Sequence, residues 1–335
     1  MKYVRFGKTG IRVSELCLGT MTFGNEADED ASRGIMDRAF DSGVTFFDTA
    51  DVYTRGTTEE IVGRWMGPRR KEIVLASKVH YPMGKGVNAR GSSRLHILKG
   101  VENSLKRLGT DYLDVLYLHH WDDETPIEES LSAMTHLVDQ GKVLYCGVSN
   151  CSAWQTMKAI ACAQANRFAP IVAVQPMYNL VKRIAEVEIL PMAQSEGLAV
   201  CPYSPLAAGL LTGKYHRGER GRISHHPMYR ERYKNHEYME AAGRFVDHAQ
   251  SIGIVPASLA VAWVLSHPTV TSPILGARNL DQLDSALAGR EIELSAEARA
   301  AVSALSAEPA RATDREDPKA LHIPKAGELA EKAQK

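Results

Sequence analysis

The chain has 335 residues, with 40 basic and 40 acidic side chains and a formal net charge of zero. That length supports a large core, and the balanced charge excludes the electrostatic footprint of a nucleic-acid binder. The apolar runs fall short of the roughly 20 residues of a membrane span, and the N-terminus lacks the pattern of an export signal, so a soluble cytoplasmic enzyme with no nucleic-acid or membrane partner is expected. Five cysteines occur without a Cys-x-x-Cys pair, and Cys17, Cys146 and Cys201 sit in apolar runs as reduced core residues.

In chain order, Tyr3–Phe6 and Ile11–Val13 read as a hairpin joined by Gly7-Lys8-Thr9-Gly10. A short strand around Cys17 follows, then a helix from about Asp30 to Phe40 that Gly43 stops. Thr45-Phe46-Phe47-Asp48 reads as a buried strand, with a helix starting near Thr58. The alternation continues with a strand to Lys78, a helix over 94–108 and a strand to His119. Pro126 is placed in the first turn of the next helix, which Gln140-Gly141 closes. A strand over 143–148 leads to a helix that Ser152 caps. Ile171–Val174 and Leu198–Cys201 are the sixth and seventh strands, with a helix over 189–194 between them. The segment 216–236 is rich in Arg, His and Gly, and is expected to be an irregular functional loop. Helices over 239–251 and 257–265, an eighth strand over 271–275 and a helix over 280–287 complete the pattern. An Ala-rich helix after Ser295 and a charged tail from about 309 end the chain.

Eight strands alternating with helices over about 290 residues favour a closed (β/α)8 barrel over a doubly wound sheet. The hairpin would plug its amino-terminal mouth, and long loops would crown the other face. No linker divides the sequence, so residues 1–335 are expected to form one domain.

Asp48, Lys78 and His119 each end an apolar strand, and Tyr53 follows one turn after Asp48. In such a barrel all four lie at the carboxyl-terminal mouth, where this fold builds its sites. An ammonium beside a phenol is expected to lower the phenol's pKa, a carboxylate keeps the ammonium charged, and an imidazole donates to a carbonyl oxygen. The set reads as a proton donor over a polarised carbonyl. No metal-ligand cluster accompanies it, so a bound hydride donor completes the chemistry. Taken singly, each residue is as well explained as a cap, a loop aromatic or a satisfied core histidine; their shared end of successive strands is what singles them out.

The chain resembles the aldo-keto reductase family over essentially its whole length. The matching stretches include Leu18-Gly19-Thr20-Met21-Thr22-Phe23-Gly24, Phe47-Asp48-Thr49-Ala50-Asp51-Val52-Tyr53, Leu75-Ala76-Ser77-Lys78 and Leu118-His119-His120-Trp121-Asp122. Further matches are Gly147-Val148-Ser149-Asn150, Val174-Gln175-Pro176-Met177-Tyr178-Asn179, Tyr203-Ser204-Pro205-Leu206, Gly209-Leu210-Leu211-Thr212-Gly213-Lys214 and Leu275-Gly276-Ala277-Arg278. The resemblance implies a (β/α)8 fold and NADPH-dependent reduction of a small carbonyl substrate. Its implied catalytic tetrad is Asp48, Tyr53, Lys78 and His119, with Tyr53 the proton donor. For the NADPH/NADP site it implies Ser149, Asn150 and Gln175 on the nicotinamide carboxamide, with Tyr203 stacked on the ring. Ser204, Leu206 and Gly209 would follow the pyrophosphate, and Gly276, Arg278 and Gln282 the adenosine phosphate. Thr20, Met21, Asp48, Pro205, Leu211 and Lys214 complete the implied cofactor set. Ala286 stands where many relatives carry an asparagine against adenine, which puts that contact in doubt.

The implied substrate pocket is Phe23, Tyr53, Tyr81, His119 and Trp121, and the aromatic and apolar character of these loops points to an uncharged substrate. Tyr178 and Lys182 have the Tyr-x-x-x-Lys spacing of short-chain dehydrogenases but lack a Gly-rich fingerprint, and His225-His226 lack carboxylate or thiol companions for a metal. Two other functions compete: a cofactor-bound regulatory protein similar to the family's potassium-channel β subunits, and a lyase using Lys78 as an imine-forming amine. The lyase leaves Tyr53 and the phosphate end unexplained. A homo-oligomer is compatible with the sequence.

Overall fold

The structure, a computed structural model, describes residues 1–313. The first two strands, β1 (Tyr3–Arg5) and β2 (Arg12–Ser14), pair antiparallel with Val4 opposite Val13. The next eight form one parallel sheet: β3 (Cys17–Gly19), β4 (Phe46–Asp48), β5 (Val74–Val79), β6 (Leu113–Leu118), β7 (Val143–Ser149), β8 (Ile171–Gln175), β9 (Ala199–Val200) and β10 (Ile274–Leu275), with β10 beside β3. The sheet curls until its ends meet. Thr271 N–H donates to Val200 C=O at 2.8 Å and Ile274 N–H to Pro202 C=O at 2.9 Å, which satisfies edge groups an open sheet would leave bare. With helices around it, this is the (β/α)8 barrel that the alternation predicts.

The helices start and stop where local chemistry directs. Asp28 caps α1 (Glu29–Asp41) by accepting from Ala31 N–H at 2.8 Å, and acidic Glu29 and Asp30 complement the first turn's dipole. A left-handed loop residue, Gly56, leads into α2 (Thr57–Met66). Ser93 caps α3 (Arg94–Leu108), and left-handed Gly109 ends it. Next come α4 (Ile127–Asp139) and α5 (Ala153–Asn166); Ser152 and Gln155 form a reciprocal capping box on the latter. Pro126 lies just outside α4 as its cap residue rather than in the first turn. The remaining helices of the described chain are α6 (Ile189–Glu196), α7 (Arg222–His225), α8 (Pro227–Arg232), α9 (His236–Ser251), α10 (Pro256–Leu265), α11 (Leu280–Leu287) and α12 (Ala296–Ser303).

Two further expectations need correction, and a third falls mostly outside the described residues. Segment 216–236 is not wholly irregular, because it contains α7 and α8. The eighth barrel strand is only Ile274–Leu275, since Thr271 and Ser272 both hand their N–H groups to Val200. Of the charged tail from about 309, residues beyond 313 lie outside the described part.

Strand alternation divides the core in two. Phe46, Ala76, Val115, Tyr117, Ala173, Ala199 and Cys201 fill the barrel interior, joined from below by Phe6 and Val13 of the hairpin. Phe6 meets Phe46 edge-on at 5.7 Å, so the hairpin plugs the barrel. The alternate residues face the helices, as Phe47 does against Trp65 at 5.0 Å between ring centroids. Gly147 makes room for the interior: a Cβ there would fall 2.5 Å from the Tyr117 ring. The five cysteines are unbonded, four of them buried. No described helix alone is long and apolar enough to cross a membrane.

Candidate active site

The same alternation aims the polar strand ends. On β4, Phe46 is interior, so Asp48 is too; on β5, Ala76 sets Lys78; past β6, Tyr117 sets His119. The chain beyond β4 keeps pairing with β5, Thr49 N–H donating to Ala76 C=O at 2.9 Å and Asp51 N–H to Lys78 C=O at 3.2 Å. A tight turn then delivers Tyr53, whose N–H donates to Ala50 C=O at 3.2 Å. Thr54 and Arg55 follow with φ of 46° and 53°, a left-handed backbone costing on the order of 1–3 kcal/mol per residue and common beside functional sites.

Lys78 is the hub. Its ammonium donates to Thr49 C=O at 2.7 Å and to the Tyr53 hydroxyl at 3.2 Å, and forms an ion pair with Asp48 Oδ1. The other carboxylate oxygen, Asp48 Oδ2, accepts from Gln175 Nε2 at 2.8 Å. Lys78 and Asp48 are 1% and 2% exposed, so each relies on the other for its charge. Burial works against the ammonium, but Asp48 and Tyr53 outweigh it and hold the lysine above its ordinary pKa. Burial likewise raises the Asp48 carboxyl against the pull of Lys78 and Gln175, yet acceptance at both oxygens is the pattern of an ionised carboxylate.

The Tyr53 phenol reverses an expectation. Lys78 does lower it, but burial is the larger influence and the pKa ends above the ordinary phenol value. Tyr53 is therefore protonated at neutral pH. His119 is pushed well below the ordinary imidazole value by burial, then by Lys78, His80 and His120, and is neutral. Its Nδ1 is enclosed with no partner, so Nε2 is the nitrogen open to the cleft. The His119 ring lies edge-on to Tyr53 at 6.0 Å and to Tyr81 at 4.8 Å.

These groups floor a cleft of ≈ 770 Å³ at the carboxyl-terminal mouth. Of the expected residues, Thr20, Met21, Asp48, Tyr53, Tyr81, His119, Ser149, Asn150, Gln175, Tyr203, Ser204, Pro205, Leu206, Gly209, Lys214, Gly276, Arg278 and Gln282 line it. Lys78 lies just beneath. Phe23, Leu211 and Trp121 do not line it. Phe23 and Leu211 are fully buried in the core, and Trp121 packs edge-on against Trp154 at 5.7 Å. Ala286 is also buried, one residue from Ser285, which does face the cleft.

The cleft has two chemically different ends. Near the tetrad are carboxamides and hydroxyls. Asn150 Nδ2 donates to His119 C=O at 2.8 Å, its Oδ1 accepts from the Tyr203 hydroxyl at 2.6 Å, and Ser149 Oγ donates to Gln175 C=O at 3.0 Å. At the far end are Lys214, Arg217, Arg222 and Arg278. Between them Ser204, Ala207, Ala208 and Gly209 all have positive φ, so this stretch of main chain is bent out of ordinary geometry along the cleft wall. Gly276 has nothing within 4 Å of where a Cβ would stand, leaving open space that a side chain would fill. Such a trough suits a long ligand with an amide-bearing head and an anionic tail. Among the described residues no group of His, Cys, Asp or Glu is arranged to hold a metal.

Sequence reasoning missed Glu26, Arg222, Met228, Tyr229 and Arg232, all of which line the cleft. Glu26 pairs with Arg222 at 2.7 Å and approaches Arg278 at 3.7 Å, so an acidic group does stand near Arg278, supplied by the loop after β3. The only sequence signal for the others was the unusual composition of 216–236. The two decoys have structural explanations. The Tyr178 hydroxyl bonds Glu186 and accepts from Arg299 at 2.8 Å, while His226 stacks edge-on with Tyr229 at 5.4 Å.

Comparison with known proteins agrees with this geometry. The model of the "Aldo/keto reductase family" matches residues 15–307. An uncharacterised oxidoreductase, YrpG, of Bacillus subtilis (strain 168) is 41% identical, the match covering 89% of this chain and 93% of that protein. Probable voltage-gated potassium channel β subunits of Arabidopsis thaliana and of Oryza sativa subsp. japonica are each 39% identical, over 84% of this chain and 89% of theirs. With the barrel, the buried Asp48–Lys78 pair under Tyr53 and a family match over almost the whole chain, this protein belongs to the aldo/keto reductase family of oxidoreductases.

Proposed function

We propose that the protein reduces an aldehyde or ketone to the alcohol with NADPH, Tyr53 giving the proton. The observation that carries this reading is the Lys78 ammonium held between Asp48 and the Tyr53 hydroxyl on the floor of a cleft with an amide-rich head and a cationic tail. Bound NADPH would supply the hydride to the carbonyl carbon. Ser149, Asn150 and Gln175 would hold its carboxamide, Tyr203 its ring, the bent 204–209 main chain its pyrophosphate, and Arg278 with Lys214 its terminal phosphate.

The chain's own groups account for the proton. A phenol kept protonated by burial is in the correct state to donate, and neutral His119 offers a hydrogen bond through Nε2 to the same carbonyl oxygen if that nitrogen carries the proton. As oxygen accepts the proton from Tyr53, a phenolate forms 3.2 Å from the ammonium of Lys78, which offsets the cost of charge in a buried place. Asp48 keeps that ammonium charged and fixed.

The test is loss of NADPH absorbance on adding an aromatic aldehyde to the purified protein, with alcohol formed in equal amount. A second reading, a cofactor-bound partner subunit with slow turnover, takes support from the names of the two plant relatives. Tight NADPH binding without aldehyde-dependent oxidation would favour it over the reductase.

A further inference from the structure

The cations of the cleft are not all alike. Arg217 pairs with Glu219 at 2.7 Å, Arg222 with Glu26 at 2.7 Å, and Arg278 lies 3.7 Å from Glu26. Arg232, at the end of α8, also lines the cleft but has no carboxylate partner among the described residues. Its neighbour Glu231 is taken by Lys234. What Arg232 does touch is weak: Met228 Sδ at 3.9 Å and the face of Tyr229, 5.2 Å from guanidinium to ring centroid.

Arg232 lines the same cleft as Tyr53 and His119, packed on Tyr229. Its charge also draws the phenols of Tyr81 and Tyr203 down against burial. Tyr81 in turn sits 4.8 Å from His119, and Tyr229 approaches Met21 Sδ with its hydroxyl at 3.7 Å. The cleft's carboxylates are Glu26, Glu219, Asp281 and Asp48. Glu26 and Glu219 serve the other arginines, Asp281 opens the helix beside Arg278, and Asp48 belongs to Lys78. A partly buried guanidinium among aromatic rings, with no anion of its own, is a recognition group for one.

We propose that Arg232 binds a carboxylate on the substrate, so that the protein acts on carboxylate-bearing aldehydes or ketones. This rests on the reductase reading above and replaces the uncharged substrate that the loop composition pointed to. The carbonyl would lie between Tyr53 and His119, the carbon frame against Tyr81, Tyr203 and Tyr229, and the carboxylate on the two N–H edges of Arg232.

The experiment compares para-carboxybenzaldehyde with its methyl ester, using the intact protein, NADPH and the variants Arg232→Gln and Arg232→Lys. The expected wild-type preference in kcat/KM for the acid is about 10-fold or more, as a charge-assisted contact provides. Arg232→Gln should bring the ratio towards one and Arg232→Lys should restore part of it, which a merely structural arginine would not do. Equal kcat/KM for acid and ester in the wild type, or an unchanged ratio in Arg232→Gln, overturns the proposal. Reduction of neither aldehyde would count against the reductase reading instead, and binding then decides the question for Arg232. Thermal stabilisation by para-(hydroxymethyl)benzoate should exceed that by the corresponding benzamide in the wild type and match it in Arg232→Gln; equal stabilisation in the wild type would refute carboxylate recognition.

Discussion

Asp48 and Gln175, 127 residues apart in the chain, are joined by a 2.8 Å hydrogen bond across the barrel mouth. The bond occupies the carboxylate oxygen that Lys78 leaves free, so the aspartate is held from both sides. Gln175 also lines the cleft where the amide-rich end begins. Whatever rests on Gln175 is thus one bond from the ion pair that positions the phenol.

The first expected outcome concerns that phenol. Tyr53→Phe removes the hydroxyl 3.2 Å from Lys78 while leaving the ring in place. The rate of carbonyl reduction should fall by at least about 10²-fold, with little change in NADPH affinity, because the lost interaction belongs to the transition state. Steady-state kinetics and a cofactor titration measure the two separately. Near-normal turnover would remove Tyr53 from the role of donor.

Lys78→Met should have two effects. It strands Asp48 in a buried place, at a cost of about 3–5 kcal/mol at neutral pH. Burial already raises that carboxyl, so the cost should shrink at acid pH as Asp48 takes up a proton. It also removes the charge that draws the Tyr53 phenol down, so that pKa rises further above its ordinary value. On the proposed reading, in which Tyr53 gives the proton, reduction needs the phenol protonated, and its loss at alkaline pH should therefore move to higher pH. Chemical denaturation and a pH–rate profile are the measurements; an unchanged midpoint with an unchanged alkaline limb would break the coupling.

The placement of Asp48, Lys78 and His119 was legible because strand alternation is a local rule, and three interior residues, Phe46, Ala76 and Tyr117, fix its phase. The eight-fold strand–helix rhythm made the barrel legible for the same reason. Loops follow no such period. Phe23 and Leu211 sit in family-like stretches yet turn into the core, and nothing in their neighbours' residue types encodes that direction. Glu26 and Arg222 meet across 196 residues, a contact set by closure of the whole barrel. The direction of the Tyr53 shift is not legible in the sequence because it depends on depth of burial set against one charge, and only the fold fixes that depth.

Asp51 gives a prediction in stability. Both of its carboxyl oxygens are buried without partners. Burial first, then Glu59, pushes its pKa from an ordinary carboxyl value up to about 8, with Arg107 pulling the other way. The folded state therefore holds a proton that the unfolded chain releases above about pH 4. Stability from this group is full below that pH, and falls until about pH 8, beyond which both states are ionised. Asp51→Asn cannot titrate, so its melting temperature should fall less steeply between pH 5 and 8 than that of the wild type. Parallel curves for the two proteins would show that Asp51 does not carry the proton.

The last prediction is that cofactor choice turns on Arg278. It follows β10 beside Gly276, which leaves open space, and its N–H is capped by Gln282 Oε1 at 3.2 Å at the start of α11. NADPH differs from NADH by a phosphate on the adenosine ribose, and a guanidinium meets phosphate with two directed hydrogen bonds. Such a contact contributes roughly 1.5–3 kcal/mol, or about 10- to 150-fold in affinity. The carboxylate of Glu26 reduces the expected gain, because in the free protein it already lies 3.7 Å from the guanidinium. It is also shared with Arg222 at 2.7 Å, so it neutralises only part of the cationic cluster that Lys214 completes. Arg278→Ala should therefore weaken NADPH by about 10-fold, the lower end of that range, and leave NADH nearly unchanged. Fluorescence titration of both cofactors against both proteins reads the difference directly. Equal losses for the two cofactors, or no loss for either, would mean that the ribose phosphate is held by other residues than Arg278.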